Sequence, residues 1–180
     1  MTFLTKIFEN SRQNKLNKNC LQAAHDGDFK SALELLDQGA NVNYVGTARE
    51  WGYESYYKVT STLGHSAISK DNIKAFTILL DKGLDVNISI GGSPLLMYAI
   101  ESRNEPAALA LLARGADTSY VRQDLETPLS VAEANGLTQV AGEIIARQQP
   151  AVAAVVPEDS ATANEVATMK PLALRKNVSP

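Results

Sequence analysis

A stretch of nine residues returns three times along the chain, as LLDQGANVN at 35–43, LLDKGLDVN at 79–87 and LLARGADTS at 111–119. Each copy is an apolar pair, two linker residues, a glycine and a short polar run. The glycines Gly39, Gly83 and Gly115 hold the same place in each copy. An alanine precedes each pair at a fixed offset (Ala23, Ala67, Ala99), and Ala132 continues the series. There a fourth copy reads TPLSVAEANGLTQVAGEII at 127–145, with Ile144–Ile145 in place of the leucines. Such a period constrains the fold strongly: each unit exposes an apolar face that only its neighbour can cover, so the units must stack.

The residues within a unit point to a pair of helices. Proline at the second position suits a first helical turn, where its missing N–H costs nothing, and the preceding threonine caps that helix. Small alanines let two helices approach closely. The leucine pair, with Leu33, Phe76 and Leu109 upstream, supplies an apolar stripe on the second helix. The glycine after the pair fits the left-handed residue that ends a helix. In register, these elements resemble the ankyrin repeat, with its period of about 33 residues and its T-P-L-H-x-A opening. Copy four has Thr127-Pro128-Leu129 and Gly136; copy three has Ser93-Pro94-Leu95, with one residue more before its alanine. Copy two keeps Thr62 and His65 but has Leu63-Gly64 where the family has Pro-Leu, and copy one keeps only Leu21-Gln22-Ala23-Ala24 and Gly27.

The resemblance implies an all-α fold, a short solenoid of about four helix-turn-helix repeats joined by hairpin-like fingers. The chain then divides into an N-terminal capping helix at 1–17, a repeat domain at 18–146 with copies near 18–50, 61–92, 93–126 and 127–146, and a tail at 147–180. Residues 2–13 are expected to form a helix with Phe3, Leu4, Ile7 and Phe8 on one side, lidding copy one. Gln139, Glu143, Gln148 and Gln149 read as the wet face of a terminal repeat. The tail, rich in alanine and valine and punctuated by prolines, is expected to be disordered; within it, residues 169–176 have the look of a short linear motif.

The joint between copies one and two is longer than the period of the other copies allows, so it carries an insertion. This inserted finger, 44–60, holds the only tryptophan, Trp51, together with Tyr53, Tyr56 and Tyr57. Aromatic rings with a polar edge bury large areas at little entropic cost and are frequent interface anchors. Two readings stay open: the rings pack on the finger itself, or at least two of them meet a partner.

The resemblance further implies that partner contacts come from finger tips and from inner-helix positions after the paired alanines. Carried onto this chain, the finger positions include Lys58, Val59 and Ser61, then Ile90, Gly91 and Ser93, then Gln123, Asp124 and Glu126. The helix positions are His25 and Asp26, Ser69 and Lys70, Glu101 and Ser102, and Ala134 and Asn135. Tyr120 and Arg122 on the last finger join them. His65 matches the family's structural histidine, which ties down the finger, and Cys20 takes the place of the leucine in T-P-L as a small buried hydrophobe.

No catalytic, metal or cofactor pattern accompanies the repeat. The two histidines, His25 and His65, are far apart in the chain, the lone cysteine excludes an internal disulfide, and no glycine-rich loop follows a strand and opens a helix. The net charge of −3 is uneven: residues 1–20 hold four bases and one acid, 21–146 nine bases and 16 acids, and 147–180 four bases and three acids. An acidic body repels phosphate backbones, so nucleic acid is not the expected partner. No apolar run approaches the roughly 20 residues of a membrane span. The opening segment lacks the order of a secretory signal, so a cytoplasmic location is expected, although export into a host cell by other routes leaves no such mark.

The functional expectation is a non-catalytic module, monomeric when free, that binds another protein through its concave face and aromatic finger. An inhibitor or immunity-type protein that blocks an enzyme, and an effector delivered into host cells, are the alternatives. All three rest on fold-level analogy.

Overall fold

Helices start where the sequence supplies a cap and stop where it supplies a left-handed residue. In a computed structural model, which describes residues 3–52 and 55–148 and the side chains of 8–50 and 58–148, the repeat region is built from four helix pairs. They are α1 (Phe3–His25) with α2 (Phe29–Asp37), α3 (Leu63–Ser69) with α4 (Ile73–Asp81), α5 (Leu95–Glu101) with α6 (Glu105–Ala113), and α7 (Pro128–Ala134) with α8 (Thr138–Gln148). The second helices of the first three pairs are capped alike, by Asp28, Asn72 and Asn104, whose side chains accept from the backbone N–H groups of Ser31, Ala75 and Ala107. Thr62 and Thr127 cap α3 and α7 in the same way.

Between the two helices of each pair the chain passes through the left-handed region, at Gly27 (φ +89°), Asp71 (+51°), Arg103 (+53°) and Gly136 (+73°). Copies two and three thus hold with Asp71 and Arg103 the turn that copies one and four hold with Gly27 and Gly136.

The core runs the length of the stack. Leu21, Leu63, Phe76, Leu79, Leu96, Ile100, Leu111, Leu112 and Ile144 are all almost fully buried, as are the recurring Ala67, Ala99 and Ala132, while Ala23 in the first copy is only half-buried beside buried Ala24. The first helices pack on one another in sequence, α1 on α3, α3 on α5 and α5 on α7, and small buried alanines on them suit close approach. Gly64 carries this further: a Cβ there would lie 2.8 Å from Leu95 Cδ2 and 3.0 Å from Leu84 Cδ2. Its missing side chain is the space those two leucines fill. Cys20 is buried in the same core, its Sγ 3.3 Å from the Ala32 carbonyl.

Polar rungs reinforce the stacking from repeat to repeat. Asn43 Nδ2 donates to Gly83 O (3.0 Å) and its Oδ1 accepts from Asp85 N (2.7 Å); one repeat on, Asn87 Oδ1 accepts from Asp117 N (2.9 Å). Ion pairs follow the same step, Lys82 to Asp37 and Arg114 to Asp81, each at 2.5 Å. Exposed pairs of this kind contribute under about 1 kcal/mol each, so they set alignment more than stability.

Two expectations change. The capping helix of 1–17 is not a separate element: α1 runs unbroken from Phe3 to His25. Copy one lacks the Thr-Pro opening that would cap a new helix, and no glycine or proline interrupts SRQNKLNKN. Of the four apolar residues expected to lid copy one from residues 2–13, Phe8 is 72 % accessible, and the side chains of Phe3, Leu4 and Ile7 lie outside the described residues. Copy three has no extra residue within its helix either. Ser93–Pro94 is a strand, Pro94 occupies the N-cap and α5 begins at Leu95, so the apparent surplus belongs to the finger. The tail at 149–180, with the motif read at 169–176, lies outside the described residues. At the fourth pair Gln139, Glu143 and Gln148 are exposed beside buried Val140 and Ile144. No helix among the described residues is long and apolar enough to cross a membrane.

Candidate binding groove

The insertion between copies one and two folds into an antiparallel hairpin, β1 (Gly46–Gly52) with β2 (Ser55–Ser61), paired from Gly46 with Ser61 to Gly52 with Ser55. Its β-branched and aromatic density is that of strands, in line with the hairpin-like finger expected of the insertion. The hairpin is fastened to α1. Ala48 is wholly buried, and Gln22 grips the backbone of Arg49 twice, its Oε1 accepting from Arg49 N (2.7 Å) and its Nε2 donating to Arg49 O (3.1 Å). His25, at the end of α1, lies 3.8 Å from Glu50.

The second finger is minimal: Ser89–Ile90 pairs with Ser93–Pro94 around Gly91-Gly92, both at positive φ as a type I′ turn requires. The third, 121–126, is a tight turn closed by Arg122 N to Glu126 O (2.9 Å).

Fingers and first helices enclose a groove in two neighbouring stretches, which share His25, Glu50 and Lys70 as lining. One, about 1010 Å³, lies between the hairpin and α1 and α3 and is lined by Lys18, Gln22, Arg49, Lys58 and Lys70. The other, about 380 Å³, continues past His25, Glu50 and Lys70 to His65, Ser69, Ile90, Ser93, Tyr98, Glu101 and Arg122. The groove thus draws side chains from three successive first helices and all three fingers.

Its floor is polar but neutral. His65 Nδ1 lies 2.8 Å from Thr62 Oγ1, and its ring tilts at 49° against Tyr98 with centroids 4.8 Å apart. Burial pushes the imidazole pKa down to about 4, so the ring is uncharged near neutrality. His65 therefore braces the base of the hairpin through Thr62, while Nε2 has no partner among the described residues. Ser93 Oγ, also on the groove, is buried without a hydrogen-bond partner. The buried Cys20 thiol, with its pKa raised to about 11, lies in the core.

Of the residues singled out from sequence, Lys58, Ser69, Lys70, Glu101 and Arg122 line this groove. Ser102 caps the end of α5 and Tyr120 is half-buried, and neither lines it. Arg122 is already engaged: it pairs with Glu101 and, at 2.9 Å, with Glu126, and the Glu101 hydrogen bond raises its pKa. The side chains of Trp51, Tyr53, Tyr56 and Tyr57 fall outside the described residues. Lys18 and Arg49 are lining residues that sequence reasoning missed.

A family model described as ankyrin repeats (3 copies) matches residues 20–124. The chain belongs to the ankyrin-repeat family. The match runs from the end of α1 through α6, and α7 with α8 forms a further helix pair beyond it. A comparison with curated proteins gave no match. Ankyrin repeats are in general protein-binding units, and the short strands here are the usual finger hairpins of an otherwise all-α solenoid.

Proposed function

We propose that this ankyrin-repeat chain is a non-catalytic module that, as a monomer, takes a partner protein along the groove, with the β1–β2 hairpin as one wall. The observation that carries the reading is the groove itself. It draws lining from α1, α3 and α5 and from all three fingers, and its lining includes His65, whose Nε2 has no partner among the described residues. With the hairpin wall already fixed to α1 by Gln22 and buried Ala48, little ordering cost falls on the groove side. Trp51 and Tyr56, paired in the hairpin register, are proposed as anchors on the same partner.

The test is recovery of a partner by the intact chain, by a Trp51→Ala/Tyr56→Ala variant and by Ser69→Arg, which fills the groove. Loss with Ser69→Arg supports groove binding. Unchanged recovery with the aromatic variant removes the finger from the interface, and unchanged recovery with both overturns the reading.

A further inference from the structure

The charge of the groove opposes that of the body around it. Residues 21–146 hold nine bases and 16 acids, yet the stretch between the hairpin, α1 and α3 is lined by four bases, Lys18, Arg49, Lys58 and Lys70, against Asp26 and Glu50. Both acids are engaged by neighbours: Gln22 Nε2 donates to Asp26 (2.9 Å), and His25 stands beside Glu50 (3.8 Å). None of the four bases has an acidic partner within ion-pairing distance among the described residues. Elsewhere on the stack Lys82, Arg114, Arg122 and Arg147 each have one, while Lys30, Lys74 and Arg103, which are not gathered in a cleft, have none among the described residues.

A second observation is independent of that imbalance. Arg49 and Lys58 stand directly opposite each other in the hairpin register. Like charges in that position weaken a strand pair, so the arrangement does nothing for the fold. An anionic group shared between them would turn the repulsion into attraction.

We propose that the partner presents an acidic peptide segment, and that this segment lies in the cleft between the hairpin and helices α1 and α3, its carboxylates meeting Lys18, Arg49, Lys58 and Lys70. The inference rests on the protein-binding reading above and adds the chemistry of the partner. A short acidic peptide fits better than a nucleic acid. Beyond α3 the groove's Arg122 is already paired with Glu101 and Glu126, and residues 93–146 hold seven acids and three bases. A longer polyanion following the groove would run onto that like-charged half. The cleft is also set in advance, because Gln22 and buried Ala48 fix the hairpin against α1, so a segment that enters does not have to order the wall.

The experiment uses the full chain and a fluorescein-labelled hexaglutamate peptide, followed by anisotropy at low ionic strength, where screening is weak. Saturable binding is expected, weakened about tenfold or more in Arg49→Glu/Lys58→Glu. Lys30→Glu/Lys74→Glu changes the net charge equally at exposed positions outside the cleft and should leave binding within about twofold. Arg49→Gln/Lys58→Gln, which removes the charges without reversing them, gives an intermediate loss, and circular dichroism checks that each variant folds. Equal weakening by the two reversal pairs would mean attraction to mean charge alone and would overturn the proposal. So would the absence of saturable binding, or tighter binding of an oligothymidylate of equal charge. If a protein partner recovered through the groove binds the Arg49→Glu/Lys58→Glu chain as it binds the parent, the acidic-segment inference fails while the protein-binding reading stands.

Discussion

Leu79 and Ile78 are neighbours on α4 with opposite fates, which makes them a direct test of the stacking. Leu79 is 1 % exposed, at the heart of the second repeat, while Ile78 is 39 % exposed on the outer side. Leu79→Ala deletes three carbons from a dry site; at about 0.8 kcal/mol each the transfer loss is about 2.4 kcal/mol. The hole left behind collapses only in part. If half of roughly 80 Å³ persists, about 24 cal/mol per Å³ adds about 1 kcal/mol, for a total of about 3–4 kcal/mol. Ile78→Ala, by contrast, should cost under about 1 kcal/mol. Urea unfolding followed by far-ultraviolet circular dichroism and by fluorescence of the single tryptophan reads both the loss and the coupling. Because the site is central, the damaged array should also lose cooperativity, seen as a lower m-value or as two transitions that no longer coincide. A Leu79→Ala cost within about 0.5 kcal/mol, or one equal to that of Ile78→Ala, would refute the register on which the repeats are stacked.

Two further predictions concern the polar framework. His65 is held neutral, its pKa pushed from 6.5 to about 4 by burial. Between those values the unfolded chain binds a proton that the native one does not, so stability should fall as pH drops through the window, by at most about 1.4 kcal/mol per pH unit, with no contribution above it; urea midpoints measured across pH 4–6.5 should flatten in His65→Gln, and an unchanged slope would refute this. Asn43→Ala removes two inter-repeat bonds where Asn87→Ala removes one, so the first should cost about 1–2 kcal/mol and visibly more than the second, a ranking that calorimetry of the two variants checks.

What could be read from sequence was whatever recurs. Four copies of an alanine and an apolar pair, three of them followed by a glycine, mark the helix pairs. The core follows those offsets in the two central copies, where Ala67, Leu79, Leu80, Ala99, Leu111 and Leu112 are buried. At the ends of the stack Ala23, Leu35 and Leu36 are only half-buried and Ile145 is exposed. The parts that escaped are those in which one copy departs from the rest. Asp71 and Arg103 hold a left-handed turn that Gly27 and Gly136 mark openly, so the second and third copies hide a feature they share. α1 runs through the expected boundary because nothing in copy one ends or restarts a helix. The groove was half legible: Lys58, Ser69, Lys70, Glu101 and Arg122 follow from repeat position. Arg49 and Lys18 enter only once the insertion folds as strands, bringing residue 49 opposite residue 58 and both against α1. That Arg122 is engaged by Glu101 and Glu126 depends on a turn that no spacing rule predicts.

The insertion itself explains why the basic cleft sits where it does. Asn43 precedes the hairpin, yet it bonds the backbone of Gly83 and Asp85 as Asn87, at a joint without an insertion, bonds Asp117. The two joints therefore stack alike, and the extra residues cannot be absorbed between repeats. They must leave the stack outward and return to Thr62, which caps α3, and the one soft route is an antiparallel ribbon. Gln22, on the exposed flank of α1, catches that ribbon at Arg49 and turns one of its faces toward Lys18 and Lys70. Repeats specify the scaffold by their sameness, and the binding chemistry enters through the single joint that differs, where added residues cost the core nothing.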